Sequence, residues 1–454
     1  MMSVNLLGDG RIGGGVNREL TPEVSSELGS ALGTMLGERV LVVAARDYYP
    51  PSRMLKRAFS AGLMSTGVTV VDFHAATFPE LAFAVKKFGA KAGVHFAVSP
   101  FHSDHVNIRL LDYLGIEFSQ DRLNQLLRLF DNKHFVRTLP ERIGWVTYAE
   151  YIHEIYVASV TSYVDSEVIA HQRPRIAVDV NFGPAAEVLP DMFSELSVDS
   201  ITLNAHKPPA RHGIRHIPSY ESLISLGELV KAASAEFGAA LSIDAGRIIF
   251  IDDKGRIIDT DKLAALLVSS VSRGSTVVTT LTTSKLIDKI AQSLKLKIVR
   301  VRGLPGDLSR QIRRNRGVLG VSDEGEIIYP TFSLSPDGLL SLSKMLERVA
   351  KEERPVSSLI NSLPEISVHK EEISYPERYD ATYVLDHLYS QFTENSVHAI
   401  SSVKIIHKNT VVKVEPVKDT KKLRLSVEMP SRKDVEALRE LRDEISNLLG
   451  GKKK

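Results

Sequence analysis

The sequence predicts an α/β protein: three consecutive α/β domains with mixed sheets, followed by a smaller C-terminal α+β domain. Three observations predict it. Apolar runs too short for helices, such as Val40 to Ala45, alternate with amphipathic helical stretches. That alternation recurs three times along the chain, and after about Ile373 it gives way to short strands joined by polar turns. The length of 454 residues is too great for a single hydrophobic core.

In order, Thr21 followed by Pro22 marks a helix start, and Val24, Leu28, Leu32 and Met35 recur at helical spacing before Gly37. The run Val40 to Ala45 reads as a buried parallel strand. A second helix runs from about Ser52 to Ser65 and stops at Gly67. Strands at Val68–Phe73 and Ala92–Val98 bracket a helix around Pro79–Phe88. The second unit takes its strands from Pro174–Val180, Ser200–Leu203, Leu241–Asp244 and Ile248–Ile251. The third takes them from Thr276–Leu281, Lys297–Val301 and Val318–Val321. In the fourth, Ala399–Ile406, Val411–Val414 and Leu423–Met429 read as antiparallel strands. A last helix has Ser431 as N-cap and Asp434 at the capping-box position, with Val435, Leu438, Leu441, Ile445 and Leu448 on one face. The expected domains are 1–155, 156–257, 258–372 and 373–454.

Composition excludes several functions. Lys and Arg total 57 against 55 acids, so a net charge of +2 gives no electrostatic case for nucleic acid or an acidic membrane. The absence of cysteine excludes disulfides, thiolate nucleophiles and Cys-ligated zinc or iron–sulfur centres. Met1 to Gly15 has no basic segment followed by an apolar stretch, and no apolar run reaches spanning length. The expected location is therefore the cytoplasm. Gly8 to Gly15 lacks the preceding strand and the Lys-Ser/Thr ending of a nucleotide-binding P-loop.

Two loops after apolar strands carry the candidate chemistry: Ala97-Val98-Ser99-Pro100-Phe101-His102 and Ser242-Ile243-Asp244-Ala245-Gly246-Arg247. Further landmarks are Asn17-Arg18-Glu19-Leu20-Thr21-Pro22, Ala45-Arg46-Asp47, Ile108-Arg109-Leu110, Gly115-Ile116-Glu117, Pro305-Gly306-Asp307 and Pro336-Asp337-Gly338. In this combination and order the chain resembles the phosphohexomutases, the phosphoglucomutase/phosphomannomutase family. The resemblance implies four domains around a central cleft, a hexose phosphate ligand, Mg²⁺, and a serine that carries the phosphoryl group.

Each implied loop departs from the family pattern. The phosphoserine loop, usually Thr-Ala-Ser-His-Asn-Pro, keeps Ser99, and Pro100 removes a backbone N–H. The metal loop, usually Asp-Gly-Asp-Ala-Asp-Arg, keeps one carboxylate, Asp244, and the terminal Arg247. A lone carboxylate holds Mg²⁺ only weakly unless phosphate oxygens help. The sugar loop is Val321-Ser322-Asp323-Glu324-Gly325-Glu326, in which Asp323 and Glu324 are candidate ligands. The phosphate loop is Glu415-Pro416-Val417-Lys418-Asp419-Thr420-Lys421, where an acid stands in place of a phosphate-clamping arginine and Lys418 is a substitute point charge. Arg11 lies beside the position of the family's N-terminal arginine, and Arg46 is a further candidate for phosphate binding.

Ser99 reads equally as a phosphoryl acceptor or a leftover hydroxyl, Asp244 as a metal ligand or a loop cap, and Arg247 as a phosphate contact or a salt bridge shaping its loop. His102, Asp104 and His105, with His95 upstream, are spaced to converge on Zn²⁺ or Mn²⁺. The run from His206 to His216 is basic and proline-containing, suited to a phosphorylated ligand or an interdomain loop. The expected function is a phosphohexomutase-like protein with little or no mutase activity, either a sugar-phosphate binder or a non-catalytic partner of another protein. The alternatives are an active mutase with an atypical site, and a metal-binding protein or hydrolase built on His102, Asp104 and His105.

Overall fold

The computed structural model describes residues 6–8, 10–100, 102–149, 151–207, 215–392, 395–399 and 401–450. The first unit is a seven-stranded mixed sheet in the order Leu7–Gly8, Arg11–Gly15, His105–Asp112, Ala92–Val98, Leu41–Arg46, Thr69–Ala75, Val146–Tyr148. Ala92–Val98 is buried at every position, as an apolar run covered on both faces should be. Thr21 accepts a hydrogen bond from the N–H of Val24, and Gly37, at φ +89°, closes the helix Pro22–Leu36. That helix packs against Pro50–Met64 closely enough that a Cβ on Gly29 would lie 2.1 Å from the Phe59 carbonyl. Only glycine permits this approach.

The second sheet runs Ile248–Ile251, Phe237–Leu241, Arg175–Asp179, Asp199–Leu203, and the third Lys297–Val301, Thr276–Thr280, Leu319–Val321, Ile327–Ile328. The second and third units share one continuous core, running from Tyr156 through Phe193, Phe250, Leu319 and Leu346 to Ile360. The helix Ile152–Tyr163 crosses the expected boundary near 155, with Ile152 packed in the first unit and Tyr156 in this shared core.

Three expectations need correction. Leu241–Asp244 is not a strand. The strand is Phe237–Leu241, and the chain turns at Ser242, whose hydroxyl accepts the Arg247 N–H at 2.9 Å. Ala399–Ile406 is not one strand but parts of two, Ser396–Ala399 and Ser402–His407, paired antiparallel. The strand Val368–Ser374 spans the expected boundary near 372 and pairs along its length with Lys422–Glu428, as an edge of the fourth sheet. Its side chains alternate between exposed and half-buried, with charges on both faces, so no apolar run announces it. The closing helix is Arg432–Gly450, with the capping box between Ser431 and Asp434 formed in both directions. Among the described residues, no helix is long and apolar enough to cross a membrane.

The fourth unit is tied to the third through a buried lysine. Lys404, 2% exposed, donates to Asp261 (2.8 Å) and to the Thr282 carbonyl (2.7 Å), and lies 3.0 Å from Asp323. Burial disfavours the ammonium, but Asp261 and Asp323 outweigh it and hold the Lys404 pKa above the ordinary lysine range. Lys404→Met leaves two buried carboxylates without their cation. We expect a loss of about 3–5 kcal/mol in urea unfolding. The exposed Lys422→Met control should stay within about 0.5 kcal/mol of the parent. Equal midpoints for Lys404→Met and the parent would mean that this contact does not hold the third and fourth units together.

Candidate functional site

Ser99 follows the strand Ala92–Val98 and is 5% exposed. Its N–H donates to the His105 carbonyl at 3.0 Å, closing the loop between two paired strands. Buried Asp47 fixes the strand end by accepting the N–H groups of Val98 (2.7 Å) and Tyr49 (3.0 Å), and burial pushes its pKa up to about 6. Beyond Ser99, Asp104 pairs with Arg18 at 2.6 Å and with His105 Nδ1 at 2.7 Å. Hydrogen bonds from His105 and Arg18 lower its pKa to about 2.

The ligand cluster expected from His102, Asp104 and His105 does not assemble. The two imidazoles lie 4.7 Å apart, and the Asp104 carboxylate is shared between His105 Nδ1 and the Arg18 guanidinium. Among the described residues no group of three or more His, Asp or Glu is placed to hold a metal ion. His95 is separate and fully buried, hydrogen-bonded through Nε2 to the Ala76 carbonyl, and burial lowers its pKa to about 4.

The metal-type loop is held from inside the protein. Asp244 is fully buried, with Ala245 in the left-handed region at φ +57°. One carboxylate oxygen accepts Arg109 Nη1 at 2.5 Å. The other accepts the Ser242 hydroxyl (2.8 Å) and the Gly246 N–H (3.0 Å), with His216 Nε2 at 3.4 Å. Burial opposes the charge of Asp244, but His216 and Arg109 outweigh it and keep the carboxyl well below its ordinary range.

Arg109 lies on the Phe78 ring, 3.3 Å from its centroid, and forms a two-pronged pair with Glu117 at 3.1 and 2.9 Å. Arg11 grips the same Glu117 at 2.8 and 2.9 Å. His216 Nδ1 donates to the Val98 carbonyl at 3.1 Å, joining this row of charges to the residue before Ser99.

Mg²⁺ requires several oxygen ligands in near-octahedral geometry. Here the loop offers one carboxylate, whose oxygens already accept an arginine, a hydroxyl and an amide. A divalent ion on Asp244 would also face a guanidinium at contact distance. The residues present do not fit Mg²⁺.

The remaining candidates are engaged elsewhere. Arg247 pairs with Glu324 and lies 3.7 Å from Glu326, while its buried Nη1 has no hydrogen-bond partner. Burial pushes the Glu324 pKa up to about 7 despite Arg247. Asp323 accepts the Thr280 hydroxyl at 2.6 Å and faces Lys404, so it is turned to the fourth unit. Exposed Lys418 pairs with Glu228 at 3.1 Å, and Lys421 donates to the Tyr379 carbonyl. Glu415 lies between Lys413 (2.8 Å) and Arg424 (3.8 Å). Arg46 lines a separate cavity. Of the run from His206 to His216, residues 208–214 lie outside the described residues, as does Phe101. Arg109, Glu117 and His216 were not among the residues expected at the site. A charge inside the apolar strand Val106 to Leu111 was the available signal for Arg109.

Three family models match the chain: phosphoglucomutase/phosphomannomutase alpha/beta/alpha domain I over residues 5–137, domain II over 154–255 and domain III over 259–366. A phosphoglucomutase/phosphomannomutase of Thermococcus kodakarensis is 35% identical over 79% of this chain and 80% of its own. A phosphoglucosamine/phosphogalactosamine mutase of Sulfurisphaera tokodaii is 26% identical over 89% and 90%. The solved structure of a putative phosphomannomutase from Thermus thermophilus has the same fold, with TM-score 0.76, 18% identity and coverage of 98% and 99%.

The charge row makes stability depend on Asp244. A carboxyl whose pKa is depressed on folding contributes stability above its unfolded value, about 4, and loses it as pH falls toward the folded value. Asp244→Asn should therefore cost about 3–5 kcal/mol at pH 7 in denaturant unfolding, because Arg109 loses a buried partner. The deficit should shrink as pH falls below about 4. A variant as stable as the parent at pH 7 would refute a supporting role for this pair.

Proposed function

Because the chain belongs to the phosphoglucomutase/phosphomannomutase family, we propose that it is a phosphohexomutase-like protein that binds a hexose phosphate and has little or no mutase activity. The relatives' names, all mutases of phosphorylated hexoses, support the ligand class. The observation that carries the activity reading is the contact between Asp244 and Arg109.

When bound, Mg²⁺ supplies charge stabilisation to a transferring phosphoryl group. In this chain the cation beside the loop is a guanidinium, fixed on Phe78 and already neutralised by Asp244 and Glu117. It orients the loop and has little charge left for an incoming dianion. The Ser99 N–H is taken by the His105 carbonyl and Pro100 has none, so the backbone here offers fewer N–H donors to a phosphate. Arg247 has one buried nitrogen without a partner, and this is the group best placed to meet a phosphate oxygen or sugar hydroxyl. The exposed Lys418 and Lys422 are secondary candidates.

Purified protein assayed with glucose 1-phosphate, mannose 1-phosphate and glucosamine 6-phosphate, with Mg²⁺ and a bisphosphate primer, tests this. Loss of about 4 kcal/mol of transition-state stabilisation predicts turnover about 10³-fold or more below the Thermococcus kodakarensis relative assayed alongside. Ser99→Ala should leave that residual rate unchanged. Turnover near the relative's rate, abolished by Ser99→Ala, would establish an active mutase with an atypical site.

A further inference from the structure

At the ends of Leu41–Arg46 and Thr69–Ala75, facing the second unit, a cavity of about 580 Å³ opens one strand away from the Ser99 loop. Neither Ser99, Asp244, the sugar-type loop nor the phosphate-type loop lines it. The adjacent tyrosines divide the two regions. Tyr49 packs on Val98 and Ile243 beside the serine loop, whereas the Tyr48 hydroxyl reaches across the cavity to Glu187. The strands forming its floor shift register here. Ala44 pairs with Asp72 but Arg46 with Ala75, leaving one extra residue on the second strand, with His74 at φ +58°. Such bulges re-aim side chains at sheet ends.

The charges around this cavity are unbalanced. Arg46, Arg53 and Lys207 line it, and among the described residues none of the three forms an ion pair. Arg46 is half-buried and donates only to the backbone carbonyl of Asp47, at 2.6 Å. Lys207 lies over the Tyr48 ring at 5.5 Å. The acids nearby are already answered. His153 bridges Glu80 (2.6 Å) and Glu187 (3.4 Å), and Asp72 is paired with buried Lys56. Burial opposes charge on His153, yet the two carboxylates outweigh it and raise its pKa to about 10, so it is an imidazolium at neutral pH. Of the charged residues lining the cavity, Arg46, Arg53, His153 and Lys207 face a single lining carboxylate, Glu187, with Glu80 and Asp47 behind them.

We propose that this cavity binds the phosphomonoester group of a small metabolite, at a site separate from the one marked by Ser99 and Asp244. A phosphomonoester carries about −1.5 to −2 at neutral pH, the sign this cation-rich lining favours. Arginine suits it by its planar fork of donors. The volume falls within the range of about 300–1,000 Å³ usual for small-molecule sites. Phe73 and Pro50 give the wall an apolar stretch for the carbon skeleton.

The test is isothermal titration calorimetry of the full chain with inorganic phosphate, glucose 6-phosphate and glucose, in the parent and in Arg53→Glu/Lys207→Glu. Both side chains are exposed and neither forms an ion pair, so the double variant should keep the parent's melting temperature within about 2 °C. The expected result is that phosphate and glucose 6-phosphate bind the parent at this site. The double variant should lose one site or weaken its dissociation constant at least about tenfold, through loss of two charge-assisted contacts. Glucose should not bind there. Identical stoichiometry and affinity in parent and variant, or binding of glucose equal to that of its phosphate, would overturn the proposal. The outcome is independent of the mutase assay, because ligand held near Arg247 persists in this variant.

Discussion

The contact between Arg109 and Asp244 joins a strand of the first unit to a loop of the second, 135 residues apart, inside a region closed to water. Either charge buried alone would cost several kcal/mol, so neither loop can hold its shape unless the other is in place. From this pair the constraint spreads outward. Glu117 holds Arg109 and is itself held by Arg11, while His216 ties Asp244 to the carbonyl before Ser99. The backbone carbonyl of Asp244 accepts the N–H of Phe78, the residue on which the Arg109 guanidinium rests. The third unit joins in turn, since the N–H of Gly338 donates to the Ala245 carbonyl at 2.9 Å.

Lys404 repeats the device at the junction with the fourth unit. In both places a basic side chain of the protein meets the acids of a loop that the family resemblance assigns to ligand binding. Such buried pairs are weak contributors to net stability compared with apolar packing of the same volume. What they supply is fixed geometry. A loop organised around its own arginine or lysine needs no external cation to stay folded, and it presents fewer free oxygens to one. Intact scaffolding together with engaged loop carboxylates follows from that single substitution of partners.

Much of this architecture was legible in the sequence where burial is two-sided. Ala92–Val98 and Ile248–Ile251 begin and end where their apolar character does. Phe237–Leu241 was misplaced because its centre is small. A Cβ on Gly238 would lie 2.7 Å from Val230, so the strand can carry little apolar bulk. Val368–Ser374 was missed because His369, Lys370, Glu371 and Glu372 stand where an apolar run would announce a strand. At the site, the positions of Ser99, Asp244, Arg247 and Asp323 in loops could be read from the strands before them. Their partners could not, since pairing across 135 residues leaves no local pattern. The hints were isolated charges in apolar strands: Arg109 between Ile108 and Leu110, and Lys404 between Val403 and Ile405.

At Asp244 a guanidinium stands in the electrostatic place of a metal. Titration with Mn²⁺, a spin-active stand-in for Mg²⁺, followed by electron paramagnetic resonance tests it most directly. The parent and Asp244→Asn would be compared with and without glucose 1-phosphate. With Arg109 in that place, the parent should show no Asp244-dependent site tighter than about millimolar, and the two proteins should give superimposable titrations. A micromolar site in the parent that vanishes in Asp244→Asn would contradict it.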